Sequence, residues 1–184
     1  MSEQHRRAGA EKLARAYFKL LSAIDWEDPI LVSGLREGLN KFLSNAHLAS
    51  FRGHNKYYKT HFISERALQQ LENGQRRDLI WEHLVPKRPY IQEPCEREAH
   101  TRTLTLDFIR DRLYKFWFLA TITSDEDRPL TRGRMPDGWD GSNILARYEQ
   151  TGLTLIPNPF FARLAAEDAT ATPPRQGRGP IHEN

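Results

Sequence analysis

The helical spacing of apolar residues in the first 50 positions constrains this fold more than any other feature. Apolar side chains recur there every three or four residues, which places them on one face of a helix. The first stripe consists of Leu13, Tyr17, Leu20, Leu21 and Ile24. The second consists of Leu31, Leu35, Leu39, Phe42 and Leu43, and it follows Asp28-Pro29, a typical helix start. Neither helix can bury its own stripe, so the two must pack on each other or on the remaining chain.

Composition narrows the class of protein. The chain has 184 residues, with 39% hydrophobic and 28% charged side chains, a formal net charge of +3 and a sequence pI near 9.1. This mild basic excess permits an anionic partner. The single cysteine, Cys95, excludes an internal disulfide and a cysteine-built structural zinc site. Neither a secretory signal nor an apolar run of ~20 residues is present. We therefore expect a cytoplasmic protein that does not interact with membranes.

Two apolar runs in the second half predict an antiparallel β-hairpin. Leu79-Ile80-Trp81 leads into Glu82-His83 and is ended by Pro86. The segment 116–122 is rich in aromatic and β-branched residues, which favour strands. It is followed by Thr123-Ser124-Asp125-Glu126, a capping box that predicts a short helix. The sequence therefore predicts strand, strand and short helix, with acidic residues at both strand ends.

The remaining segments complete an α+β prediction: a mostly helical chain with a small hairpin. Ser64 and Thr105 are expected to cap helices, residues 88–103 to form a loop, and Ser142 to cap a last helix through Arg147-Tyr148. Residues 153–156 are expected to form a short strand. The predicted parts are an N-terminal helical arm (1–50), a central module (51–157) and a C-terminal tail (158–184), disordered from about Glu167.

Glu82-His83 and the acids 125–127 are the candidate chemical groups. A carboxylate can hold a hard cation such as Mg²⁺, and an imidazole can accept a proton from water near neutral pH. An isolated Glu-His pair is also common as a surface or structural pair. Helix capping alone accounts for Glu126 and adequately for Asp125, but less well for Asp127. Packed as a hairpin, the two strands could bring both acidic sites together at one end.

The order of these segments resembles the HNH-type, or ββα-metal, endonucleases, and most of all bacterial members with a Glu-His-Val-Val-Pro-Lys core. The likeness covers residues 60–155 and is carried by three segments, with Arg134 to Asp140 and Ala146-Arg147-Tyr148 similar further on. These segments are Phe62-Ile63-Ser64-Glu65-Arg66-Ala67-Leu68, Trp81-Glu82-His83-Leu84-Val85-Pro86-Lys87 and Ala120-Thr121-Ile122-Thr123-Ser124-Asp125-Glu126-Asp127.

The resemblance implies a metal-dependent endonuclease that hydrolyses DNA phosphodiester bonds. His83 matches the general base, Glu82 a metal ligand, and Glu126 or Asp127 the distal ligand of Mg²⁺ or Mn²⁺. The family's middle asparagine is missing, because no asparagine lies between His83 and Glu126. An alternative is therefore a non-catalytic nucleic-acid-binding or adaptor subunit of a larger bacterial assembly, built on a degenerate HNH scaffold.

Basic residues that could contact DNA, or RNA, lie in two stretches. Cations alternate with aromatic residues between positions 51 and 62, as in a groove that follows a nucleic-acid backbone, and others flank the candidate site. The predicted contacts are Arg52, Lys56, Lys59, Lys87, Arg88, Arg132 and Arg134. Each could also be an ordinary surface charge. The N-terminal helices could serve a protein partner or self-association.

Overall fold

The computed structural model describes residues 3–51 and 54–170. Over these ranges the chain belongs to the α+β class, as predicted. The helices are α1 (Glu3–Ser22), α2 (Pro29–Ala49), α3 (Glu65–Glu72), α4 (Glu93–His100), α5 (Leu106–Phe116), α6 (Ser124–Asp127), α7 (Ala146–Glu149) and α8 (Pro159–Thr170). The strands are β1 (Phe62–Ser64), β2 (Leu79–His83), β3 (Leu119–Thr123) and β4 (Leu155–Pro157).

The four strands form one mixed sheet in the order β2-β3-β1-β4. The predicted antiparallel pairing of β2 with β3 is confirmed, with a register that runs from Leu79 opposite Thr123 to His83 opposite Leu119. β1 pairs in parallel with β3 and antiparallel with β4. The hairpin is therefore one part of a larger sheet, and α6 begins at the opposite end of β2 from Glu82-His83.

Short polar side chains start the helices where the sequence predicts them. Asp28 accepts hydrogen bonds from the backbone N–H groups of Ile30 and Leu31 at the start of α2. Ser64 and Thr105 cap α3 and α5 in the same way. The capping box at the start of α6 is also present. These caps satisfy backbone donors that no intrahelical carbonyl can reach.

Apolar clusters cover both faces of the sheet. The larger one joins α1, α2, α4 and α5 to the Trp81 and Leu119 side of the strands. Tyr17 of α1 and Leu43 of α2 are fully buried within it, so the two N-terminal helices share a core with the central module. A second cluster, formed by Leu84, Ala120, Ile122, Leu130 and Tyr148, lies against the other face.

Two sequence predictions about elements are corrected by the structure. Residues 88–103 contain a π-type turn (Arg88–Gln92) and α4, because Ile91, Cys95 and Ala99 make one buried helix face. The last predicted helix starts at Ala146, since the Ser142 hydroxyl is bonded to Asp140 instead.

The C-terminal prediction is corrected in part. Residues 159–170 form α8, and Phe161 and Leu164 bury its inner face. The rest of the segment predicted to be disordered, 171–184, lies outside the described residues. Across the ranges that the structure covers, no helix combines the length and apolarity needed to cross a membrane.

Candidate functional site

Glu82 and His83 do not share a cleft, because they lie on opposite faces of β2. The His83 ring packs edge-on between Trp81 and Trp117, with centroid distances of 5.0 and 4.8 Å. Glu82 instead faces Arg147, with 3.2 Å between Oε1 and Nη2. Strand neighbours alternate between faces, and the regular pairing of β2 with β3 continues to His83. The bend that would turn both side chains to one side is therefore absent from β2.

The position of His83 does not suit a general base. Both ring nitrogens are inaccessible to solvent, and neither has a hydrogen-bond partner within the described part of the chain. Burial lowers the pKa of His83 to about 3, so the imidazole is neutral at physiological pH. A base must be able to reach the water that it activates. His83 is instead part of an aromatic cluster.

Glu82 belongs to a buried ion pair. Arg147 is only 2% exposed, and its guanidinium also donates to the backbone carbonyl of His83 over 3.0 Å. Burial raises the pKa of the Glu82 carboxyl, which the Arg147 charge opposes and the Asp127 carboxylate reinforces. The ion pair holds α7 against the end of β2, and the Oε1 atom of Glu82 already accepts a hydrogen bond from the Arg147 guanidinium.

The Glu126 side chain caps the start of α6. Its Oε2 accepts hydrogen bonds from the Thr123 backbone N–H (2.8 Å), the Thr123 hydroxyl (3.0 Å) and the Ser64 hydroxyl (2.7 Å). Asp127 is 18% exposed and lies 3.6 Å from Arg132. Of the two candidate distal ligands, only Asp127 shares an environment with Glu82.

These residues do not fit the expected Mg²⁺ or Mn²⁺ site. Among the residues that the structure describes, no group of three histidine, cysteine, aspartate or glutamate side chains could hold a metal ion. The Asp127 charge acts on Glu82, but His83 lies on the other face of β2 and Glu126 is used as a cap. We therefore derive no metal-dependent step from this geometry.

Two of the predicted nucleic-acid contacts have structural roles instead. Lys59 is 6% exposed, and its Nζ donates to the Leu48 carbonyl over 3.0 Å. Lys87 is half-buried and donates to the Asn40 carbonyl, and burial lowers the pKa of its ammonium. Both lysines bind backbone carbonyls of α2, so neither is free to meet a phosphate.

The other predicted contacts that the structure describes are exposed side chains. Lys56 is exposed, and Arg88 and Arg134 are exposed and paired with Glu93 and Asp137 respectively. Arg52 lies outside the described residues. Arg132, which is 83% exposed, belongs to a group of arginines around α6.

We call this group the arginine edge. It surrounds α6 and the loop before β2, and its members are Arg66, Arg76, Arg77, Arg128 and Arg132. Arg66 and Arg128 both reach Asp125, at 3.9 and 3.1 Å. The loop is held beside α6 because the Ser124 backbone N–H donates to the Asp78 carbonyl over 2.7 Å. The three chain segments that carry these arginines thus lie side by side at one end of the sheet.

The arginine edge is exposed and only loosely neutralised. Arg66, Arg77, Arg128 and Arg132 are between 62% and 94% exposed. Most of their ion pairs, with Asp78, Asp125 and Asp127, span 3.6 to 3.9 Å. Such exposed pairs contribute about 0–1 kcal/mol each, so a stronger anion can replace them. The same segments also carry Glu65 and Glu126, so the carboxylates are at least as numerous as the five arginines, and what distinguishes these arginines is their exposure.

Reasoning from the sequence misses Arg66, Arg76 and Arg77. They are remote in sequence from the acids of α6, and the pairing of β3 with both β1 and β2 brings the segments together. One available signal is Asn73-Gly74 followed by Arg76-Arg77, a turn that presents two adjacent cations. Gly74 ends α3 with a φ of 72°, which starts the exposed loop.

Comparison with known proteins adds no family assignment. A scan against protein-family models and searches of curated proteins and solved structures found no match.

Proposed function

We propose that this protein binds nucleic acid through the arginine edge and does not hydrolyse it. The observation that supports this proposal is that α3, the loop before β2 and the segment that ends α6, which lie side by side at one end of the sheet, carry five exposed arginines. This is the alternative that the sequence left open: a nucleic-acid-binding or adaptor subunit on a scaffold that resembles an HNH module.

Phosphodiester backbones suit such a surface. The arginine guanidinium is always charged, and its planar donors match phosphate oxygens in pairs. Each phosphate that is neutralised releases condensed counterions, so binding is driven electrostatically and weakens with salt. We expect little sequence preference, because phosphate contacts carry no direct base information.

The positions of His83 and Glu82 favour binding without hydrolysis. A nuclease needs a base with access to water and a cation site beside it, whereas His83 is enclosed by two tryptophans and Glu82 is paired with Arg147. Nuclease activity remains a prediction of the family resemblance, and it can be tested separately from binding.

Binding is tested with a fluorescently labelled DNA duplex and a labelled RNA, followed by anisotropy. The test variant replaces Arg76, Arg77 and Arg128 with serine. A matched control replaces three arginines remote from the edge, Arg7, Arg15 and Arg88, whose side chains are 67%, 64% and 76% exposed. Both variants lose the same charge. We expect the edge variant to bind at least tenfold more weakly than the control, and equal binding by the two would contradict the proposal.

Hydrolysis is tested by nicking of supercoiled plasmid with Mg²⁺ or Mn²⁺. We expect the native chain to leave the plasmid intact at concentrations that bind it fully. Nicking by the native chain that disappears in His83→Ala would overturn the non-catalytic part of the proposal and restore the nuclease prediction.

A further inference from the structure

Two histidines on the side of the sheet opposite Glu82 have no part in the proposed function. His47, on α2, is 4% exposed, and His61 precedes β1. Their ring centroids are 5.8 Å apart, and both rings contact Phe161 of α8. A titratable pair is thus placed where α2, α8 and the sheet meet.

Hydrogen bonds fix both imidazoles in the neutral form. The indole Nε1–H of Trp117 donates to Nδ1 of His47 over 3.2 Å. An indole nitrogen can only donate, so the His47 Nδ1 must accept, and Nε2–H donates to the Lys59 carbonyl over 2.7 Å. In His61, Nδ1 accepts from the backbone N–H of Leu119 over 3.2 Å. In each ring a proton would have to enter where another N–H already points.

These bonds connect separate elements of the fold. The His47 bonds join α2 to the residue between α5 and β3 and to the segment before β1. The His61 ring joins that segment to β3, and its carbonyl accepts from the backbone N–H of Asn158, which precedes α8. Protonation of either ring would break a bond between elements, not one within an element.

Within the described residues, no acidic side chain acts on either imidazole to stabilise its protonated form. Lys59 acts on His47 from the segment before β1, while Arg6 of α1, His47 of α2 and His83 of β2 act on His61. Lys87 and Arg147 in turn face His83. Among the described residues, the side chains that act on the pair are basic ones. Burial lowers the pKa of His47 to about 4 and lowers that of His61 well below its ordinary value.

We propose that His47 and His61 form an acid-sensitive latch, which holds α2 and the segment before β1 on the sheet only while both imidazoles are neutral. The direction of the pH dependence follows from linkage. Both folded pKa values lie below the unfolded value of about 6.5, so the stabilisation that the two neutral histidines contribute is complete above that pH. It is lost as the pH falls towards 4, where the unfolded chain binds protons that the fold cannot accept.

The latch is tested by counting the protons taken up on unfolding near pH 5. The slope of the logarithm of the unfolding constant against pH, from urea titrations, gives this number. His47→Gln keeps one acceptor and one donor but cannot titrate, and His61→Asn keeps an acceptor. We expect each substitution to reduce the uptake by about one proton, so that the unfolding constant changes tenfold less for each pH unit. The exposed His54→Gln and His100→Gln are matched controls that should leave it unchanged.

Hydrogen exchange on the native chain gives a second readout that needs no variant. Protection factors, corrected for intrinsic rates, are compared at pH 7 and pH 5. We expect residues 39–51 and 59–61 to lose protection at pH 5 by a larger factor than α5 does. A uniform loss across all elements, or an unchanged proton uptake in both His47→Gln and His61→Asn, would overturn the latch.

Discussion

Arg147 has the lowest exposure of any charged side chain among the described residues, and its guanidinium binds only the end of β2. Its contacts are the Glu82 carboxylate at 3.2 Å and the backbone carbonyls of His83 and Leu84 at 3.0 and 3.5 Å. A buried ion pair of this kind does not by itself make a fold more stable than apolar packing would. It does make either partner costly to remove alone, because a buried charge is then left without its counterion.

We therefore expect Arg147→Ala to lower the free energy of unfolding by about 3 kcal/mol. Glu82 would be left half-buried beside Asp127 with no cation, and two backbone carbonyls would lose their donor. Urea denaturation at pH 7 measures the change. Arg132→Ala, at an 83% exposed position, is the control and should change stability by less than about 0.5 kcal/mol. Equal effects of the two substitutions would show that the Arg147 pair is not structural.

Arg102 adopts a backbone conformation that favours glycine. It follows the end of α4 with a φ of 60°, and its N–H donates to the carbonyl of Ala99 over 3.1 Å. Glycine is the usual residue at this place after a helix, because it carries no Cβ that strains a left-handed conformation.

Arg102→Gly should therefore stabilise the fold by up to about 1 kcal/mol, seen as a higher thermal midpoint. Gly74→Ala, at a φ of 72° after α3, should have the opposite sign. A destabilising Arg102→Gly would mean that the arginine side chain makes contacts worth more than the backbone strain.

At the scale of elements, α6 depends on one carboxylate. Three donors converge on the Oε2 of Glu126, and one of them, the Ser64 hydroxyl, comes from the end of β1. The same Ser64 oxygen accepts from the N–H of Ala67 and so caps α3. Glu126 therefore links the starts of α3 and α6, which together carry much of the arginine edge.

Replacing Glu126 with alanine should cost about 2 kcal/mol of stability, because two caps lose an acceptor. Asp125→Ala, at a 60% exposed position that takes part in neither cap, should cost less than about 0.5 kcal/mol. Urea titration of both variants checks the difference. Addition of Mg²⁺ should leave the native midpoint unchanged, whereas a rise in midpoint that Glu126→Ala abolishes would contradict the capping role and support a ligand role.

Local signals explain which elements the sequence predicts well. Each helix cap accepts a hydrogen bond from a backbone N–H no more than three residues later, so a short stretch of sequence is enough to indicate the helix start. The capping residues are Asp28, Ser64, Thr105 and Thr123. The helix α4 is missed because its buried face has only Cys95 and Ala99, which are small and separated by charged residues. Helix α8 is also missed by the sequence prediction, because its large apolar residues lie in its first half and its second half is rich in alanine.

The candidate site depends on information that a linear sequence does not carry. Glu82 and His83 are adjacent in the chain, yet pleating sends them to opposite faces of the sheet, and only the observed register excludes a bend between them. The meeting of Glu82 with Arg147, 65 residues later, is set by tertiary packing. The pairing of β2 with β3 was predictable, but the side chains that it brings together at each end were not.

At the scale of the whole molecule, the arginines around α6 differ in exposure from two of the lysines predicted to contact nucleic acid. The chain carries only a formal +3, yet five exposed arginines surround α6 at one end of the sheet. Lys59 is buried and Lys87 is half-buried against α2, and both donate to backbone carbonyls there. The five arginines around α6 are therefore exposed to a polyanion, whereas these two lysines are bonded to backbone carbonyls of α2.

The salt dependence of nucleic-acid binding tests this account most directly. The logarithm of the binding constant for a DNA duplex is measured against the logarithm of the salt concentration, for the native chain and for the two triple serine variants. Each lost phosphate contact should lower the slope by about 0.9. We predict a slope smaller by about 2 to 3 when Arg76, Arg77 and Arg128 are replaced, and an unchanged slope when Arg7, Arg15 and Arg88 are replaced. The same slope in all three proteins would contradict the assignment of the arginine edge as the nucleic-acid surface.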